Sequence, residues 1–198
     1  MQQRSEETQA RILDAAVRRF SISGFNGASV DEICSDAGVS KGAFYHHFPT
    51  KQAVFLALLN GWLGTIDTGL KAVRQDTVPL TLLHMTGMLP AIFASADDRL
   101  PMFLEFWLQA SRDHTVHDAM IAPYRYFTDY FTNLIGTGIS EGSLKDVDPE
   151  IISQAIISIA IGTLLQGLLD PDRTNWSRVA EQSIQALLAG VIKTNDID

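Results

Sequence analysis

The sequence predicts an all-α protein. Apolar residues recur at three- and four-residue spacing along most of the chain, and no alternating run is bounded by Asn-Gly or Asp-Gly turns. Caps and breakers, among them Ser29, Gly38, Ser40, Pro49, Asp148-Pro149 and Asn175, punctuate the periodic stretches. With 198 residues, 46% of them apolar and 19% charged, the chain can bury a sizeable core without disulfides or metals. Its single cysteine, Cys34, excludes an intramolecular disulfide and a CxxC pair, which fits a reducing compartment. The opening MQQRSEETQA lacks the basic-then-apolar pattern of a secretory signal, so a cytoplasmic location is expected.

The first element rests on Ile12, Ala16 and Phe20, spaced by four, with Ser5 as cap and Gly24 as terminator; a helix over about 5–22 is expected. Ser29-Val-Asp-Glu32 has the form of a capping box and opens a short helix that ends near Ala37-Gly38. Ser40 caps another over about 41–47, and Pro49-Thr50 breaks it while Thr50 starts the next. Two short helices joined by a tight turn with a glycine that can take positive φ describe a helix-turn-helix, whose second helix can enter a DNA major groove. Val30, Ile33, Ala37, Val39, Phe44 and Phe48 supply a small core against Ile12, Ala16 and Phe20. Left on the outer face of the second short helix are Ser40, Lys41, Gly42, Ala43, Tyr45, His46 and His47, donors and small residues of the kind that base edges and phosphates require. His46 and His47 are adjacent and so point to different sides of a helix, which disfavours a shared metal ion.

A net charge of −8 argues against a phosphate-rich partner, but the charge is unevenly held. Residues 1–52 carry six Lys/Arg and six Asp/Glu, whereas residues 53–198 carry nine against seventeen, so the whole excess of acid lies outside the helix-turn-helix.

The stretch GFNGASVDEICSDAGVSKGAFYHHFPTKQAVFLALL resembles the N-terminal domain of the TetR family of transcriptional regulators. Its Gly-Phe, Ser-Val, Ala-Gly-Val-Ser, Phe-Tyr-x-His-Phe and Lys elements match in order and spacing, over about residues 8–60. The resemblance implies an all-helical homodimer. An N-terminal three-helix DNA-binding domain at 1–50 would precede a ligand-binding and dimerisation domain at 51–198. It places the recognition helix on Ser40 to His47, a phosphate-contacting tyrosine on Tyr45 and a lysine at the start of the fourth helix on Lys51. The expected DNA-contacting set is Ser29, Ser40, Lys41, Gly42, Ala43, Tyr45, His46 and Lys51, with double-stranded operator DNA as partner.

Beyond Thr50 the pattern predicts a long helix to about Arg74, then helices near 78–95, 98–111 and 115–139. Asp148-Pro149-Glu150 combines a capping aspartate, a proline at N1 and an acid in the first turn, and opens a helix to Leu169. Ile151 to Leu169 has the length of a membrane span. Its Ser153, Gln154, Ser158, Thr163 and Gln166, with acids at both ends and no Lys or Arg anchors, favour instead a helix buried on nearly all sides. Asn175 caps the last helix, about 176–192, and the resemblance makes these final two helices, within 148–192, the dimer's four-helix bundle.

Aromatic residues gather at Phe103, Phe106 and Trp107 and at Tyr124, Tyr126, Phe127, Tyr130 and Phe131. They form either plain core or a mostly apolar pocket, oriented by the Tyr124 hydroxyl and Gln109, for a small apolar or aromatic effector. The pocket reading assigns Trp62, Ile66, Phe103, Trp107, Tyr124 and Phe127 to the ligand. His114 and His117 have spacing acceptable for two metal ligands, yet a solvated helix start explains them equally, and neither a cofactor nor catalysis is expected. The reading is a ligand-responsive, dimeric repressor. Its competitors are an activator or effector-independent regulator and, further off, a metal-dependent enzyme using His114 and His117.

Overall fold

The computed structural model describes residues 2–96 and 100–193, the side chains of Gln2, Met102, Phe103 and Phe106 excepted. Its elements are helical: α1 (Gln2–Gly27), α2 (Val30–Ala37), α3 (Lys41–His47), α4 (Lys51–Ala72), α5 (Val78–Thr86), α6 (Leu89–Ala96), α7 (Leu100–Ala110), α8 (His114–Ser140), α9 (Pro149–Leu169) and α10 (Trp176–Val191). Among the described residues there is no strand, only an isolated antiparallel bridge between Leu144 and Ile192.

The short helices begin and end where local chemistry dictates. Ser29 Oγ accepts the Glu32 amide at 3.2 Å while the Glu32 carboxylate accepts the Ser29 amide at 2.8 Å, completing the capping box of α2. Gly38 ends α2 at φ 60 and ψ 42, a left-handed conformation that glycine adopts without a Cβ penalty. Ser40 Oγ accepts the Ala43 amide at 3.1 Å and starts α3, and Thr50 does the same for Ala53 at 3.0 Å before α4.

Three boundaries differ from the sequence pattern. Helix α1 begins at Gln2, so Ser5 lies inside it rather than at its cap. The first helix carries a break at Gly24 (φ 70, ψ 169), after which one further helical turn runs to Gly27. The single helix expected near 78–95 is two, α5 and α6, parted at Gly87-Met88. Pro90 explains the division: inside a continuous helix it could not donate to the Thr86 carbonyl and its ring would clash there, whereas in the first turn of α6 its missing N–H costs nothing.

The chain forms two compact units. The first holds α1–α3, α4 as far as Thr65, α7 and the start of α8 as far as Met120; the second holds α4 from Ile66, α5, α6, the rest of α8, α9 and α10. About two thirds of α4, and a segment some fifty residues beyond its start, thus group with the helix-turn-helix.

In the first unit Ile12, Phe20, Ile33, Phe44 and Phe55 are almost wholly buried and Phe25, Phe48 and Val116 pack with them. Each such side chain contributes about 1.5–3 kcal/mol by leaving water. The core of the second unit is built from Leu82, Ile135, Leu144, Ile156, Ile184 and Leu188. Its buried hydroxyls on α9 are satisfied: Ser153 donates across to Thr128 O of α8 at 2.8 Å, and Thr163 donates within its own helix to Ile159 O at 2.6 Å. By length and composition alone α9 could cross a membrane. In the structure Ile152, Ser153, Ile156 and Thr163 face the protein, and Ile151, Leu165, Leu168 and Leu169 are exposed.

Candidate nucleic-acid interface

Helix α3 is short, and its orientation is set by two aromatic anchors. Phe44 is fully buried, with its ring centroid 6.3 Å from that of Phe48 and 5.3 Å from that of Tyr45 in an edge-on pair. With Phe44 turned inward, helical spacing turns Lys41, Gly42, Tyr45 and His46 outward; all four are exposed, Ser40 and Ser29 are exposed beside them, and Ala43 and His47 are half-buried. Seven of the eight expected DNA-facing residues therefore lie at the surface of α3 or at the caps of α2 and α3, though Ser29 and Ser40 also spend their hydroxyls on caps.

Lys41 Nζ lies 2.6 Å from Asp31 Oδ1 across the helix-turn-helix, and this hydrogen bond raises the ammonium's pKa. The pair is exposed, so it stabilises the fold little and its partners remain available to solvent and ligands.

Lys51 departs from expectation. Its ammonium is turned inward, donating to Phe25 O, to Ala28 O at 2.7 Å and more distantly to Asn26 O at 3.5 Å, and it lies 4.5 Å from the centroid of the Phe25 ring. Burial lowers its pKa, with Glu105 opposing. In this arrangement the three donors serve the 25–28 turn, not an external phosphate.

Two further cations, unassigned by sequence reasoning, hold the helix-turn-helix together. Arg11 Nε donates to Ala37 O at 2.9 Å and Arg11 Nη2 to Ala37 O and, at 2.6 Å, to Gly38 O, so a guanidinium closes the C-terminal end of α2. Arg19 clasps Asp36 with bonds of 2.6 and 2.7 Å and approaches Glu32 at 3.7 Å. The Arg19 hydrogen bond holds the Asp36 carboxyl below its ordinary range, and the Ser29 hydroxyl does the same for Glu32.

The six residues assigned to an effector fall on different elements. Trp62 lies on α4 in the first unit, partly buried against that unit's core, and Ile66 begins the second unit's part of the same helix. Trp107 on α7 is 44% exposed; the Phe103 side chain lies outside the described residues. In the second unit Phe127 is half-buried and Tyr124 donates to Gln154 Oε1 at 2.8 Å. Gln109, paired with Tyr124 in the pocket reading, instead donates to Asn26 at 3.2 Å. His117 Nδ1 sits 3.2 Å from Asp118 Oδ1, and among the described residues no group of three or more His, Cys, Asp or Glu side chains is placed to hold a metal ion.

The comparisons agree with this architecture along the chain. The family described as bacterial regulatory proteins of the tetR family matches residues 12–58, and the one described as BetI-type transcriptional repressor, C-terminal, matches residues 85–193. The HTH-type transcriptional regulator UidR of Escherichia coli (strain K12) is 23% identical over 97% of this chain and 96% of its own length. SrpR of Pseudomonas putida, likewise an HTH-type transcriptional regulator, is 27% identical over 93% and 86%. Among solved structures, a TetR transcription regulator from Haloarcula marismortui superposes with a TM-score of 0.83 at 20% identity, over 95% of this chain and all of that one. A transcriptional regulator from Saccharomonospora viridis, solved in complex with choline, does so with a TM-score of 0.79 at 18% identity, over 95% and 99%. With a capped helix-turn-helix in front, an all-helical unit behind and both family patterns matched in order, the chain belongs to the TetR family of transcriptional regulators.

Proposed function

We propose that the protein is a ligand-responsive repressor that binds a palindromic operator as a homodimer and is released by a small apolar or aromatic effector. The observation that carries the DNA-binding part is the presentation of α3: Phe44 and Phe48 fix it in the core while Lys41, Gly42, Tyr45 and His46 stand outward. Lys41 and His46 suit base edges, and Tyr45 with the capped helix N-termini suits phosphates. The description of the C-terminal match as a repressor supports repression.

Dimerisation is assigned to 148–192. One face of α9 packs on α10, and Ile151 at one end and Leu168 and Leu169 at the other are exposed, apolar residues that a partner subunit would cover. For release, the effector is assigned to the helical region that follows the helix-turn-helix, where Tyr124, its hydroxyl bonded to Gln154, and the half-buried Phe127 lie one turn apart on α8. A coupling of about 1–3 kcal/mol weakens operator binding roughly 5- to 150-fold. Because one structural neighbour was solved with choline, quaternary ammonium compounds belong in the effector screen beside flat aromatics and acyl chains.

The test is enrichment of duplexes from a random pool by the full chain. An inverted repeat with half-sites about one helical turn or slightly more apart is expected, with affinity falling as salt rises. Equal affinity for enriched and scrambled duplexes would overturn the reading. Compounds that quench tryptophan fluorescence are then tested for operator release, and hits that leave DNA affinity untouched would remove the effector role.

A further inference from the structure

The segment between α1 and α2 is held from α7, an element far away in the chain. Glu105 Oε2 accepts the Phe25 amide, a contact spanning 80 residues of sequence, and its carboxylate occupies the space beside Gly24: a Cβ there would lie 2.7 Å from Glu105 Oε1. Gly24 has no Cβ to fill that space, and its φ 70 and ψ 169 break the helix just before Phe25. One helical turn further along α7, Gln109 donates to Asn26 at 3.2 Å. From the other side Lys51 donates to Phe25 O and Ala28 O. The Phe25 residue is thereby gripped at both backbone groups, its N–H by a carboxylate and its carbonyl by an ammonium, while its ring is buried between Phe20 at 5.4 Å and Phe55 at 5.9 Å. Four residues later Ser29 caps α2, and α3 follows after the Gly38 turn.

We infer that Glu105 is a positioning residue for DNA binding: by closing the Gly24–Ala28 turn it sets where α2 starts and so where α3 presents Lys41, Tyr45 and His46. The inference rests on the DNA-binding reading above. An unpaired Phe25 amide would leave the turn held by Lys51, Gln109 and the Ala28 amide's bond to Gly24 O, and the start of α2 would move with it.

The test compares Glu105→Ala, Glu105→Gln and Gln109→Ala in the full chain by backbone hydrogen exchange and by affinity for the duplex that the wild type enriches. Glu105→Ala should speed exchange at 25–28 and 40–47 and weaken the duplex about tenfold, the loss of one charge-assisted hydrogen bond, with exchange in α9 and α10 unchanged. Glu105→Gln, whose amide oxygen can still accept the Phe25 N–H, should restore both to within about threefold. Gln109→Ala should show the alanine pattern at smaller size, and it carries the test with Glu105→Gln if the alanine variant does not fold. An alanine variant with wild-type exchange at 25–28 and 40–47 overturns the inference, as does faster exchange with undiminished duplex affinity. If the wild type enriches no duplex, the DNA-binding reading fails, and the exchange arm still decides whether Glu105 orders the turn and α3.

Discussion

Lys51→Met separates two roles that sequence and structure give the same side chain. As a phosphate contact, Lys51 would contribute nothing to stability, and its loss would weaken all DNA sequences alike. As the structure places it, the ammonium satisfies the carbonyls of Phe25 and Ala28. Methionine keeps the stem against the Phe25 ring but orphans both carbonyls, at about 1–3 kcal/mol each. Part is returned because the ammonium no longer resists burial, the effect that lowers its pKa. The net expectation is a destabilisation of about 2 kcal/mol, or roughly 4–8 °C in Tm for a chain of this length. Calorimetry of the variant reads the stability, and duplex binding across a salt series reads the phosphate term. Unchanged Tm together with a log–log salt slope flatter by about 0.9 would refute the inward assignment and return Lys51 to the phosphates.

Lys41→Gln should leave Tm unchanged and weaken the enriched duplex by about 5- to 150-fold with relaxed sequence preference, whereas Asp31→Asn, which frees Lys41 and removes a nearby negative charge, should tighten it; electrophoretic mobility shifts that move both variants the same way would contradict the pairing. Ser29→Ala removes the capping box of α2 and should cost about 1 kcal/mol in denaturant unfolding, and an unchanged midpoint would count against it. Asp36 and Glu32 have pKa values lowered from 3.8 and 4.5, so the stability they bring is complete above those values and is lost as pH falls through their lower folded ones; Asp36→Asn should therefore make the acid limb below pH 3.8 shallower, and an identical limb would remove the role given to the Arg19 clasp. In α9, Leu168→Glu, at an exposed position, probes the proposed interface without touching the unit's own core: monomers or insoluble protein are expected by light scattering, and a soluble dimer would exclude Leu168 from the interface.

Most helix ends and apolar faces are written in local side-chain chemistry. Ser29 with Glu32, Gly38, Ser40, Thr50, Asp148-Pro149 and Asn175 act on amides within about four residues of themselves, so a local reading places α2, α3, α9 and α10 within a residue or two of their true bounds. The outward face of α3 was legible for the same reason, because burying Phe44 and Phe48 at helical spacing leaves only one way for Lys41, Tyr45 and His46 to point. Pro90 carried its warning locally too, but the apolar periodicity of 78–95 masks it. The use of the long polar side chains is different, because it is set by segments distant in the chain. Lys51, Arg11 and Gln109 look like solvated or ligand-facing groups in sequence, and Glu105 shows no pattern at all, yet they close turns 23 to 83 residues away. Their partners are mostly backbone amides and carbonyls, which every residue carries. No side-chain pattern can mark which of them a distant cation or carboxylate will find, so those roles, and the allotment of α7 to the helix-turn-helix unit, exist only once the core has brought the segments together.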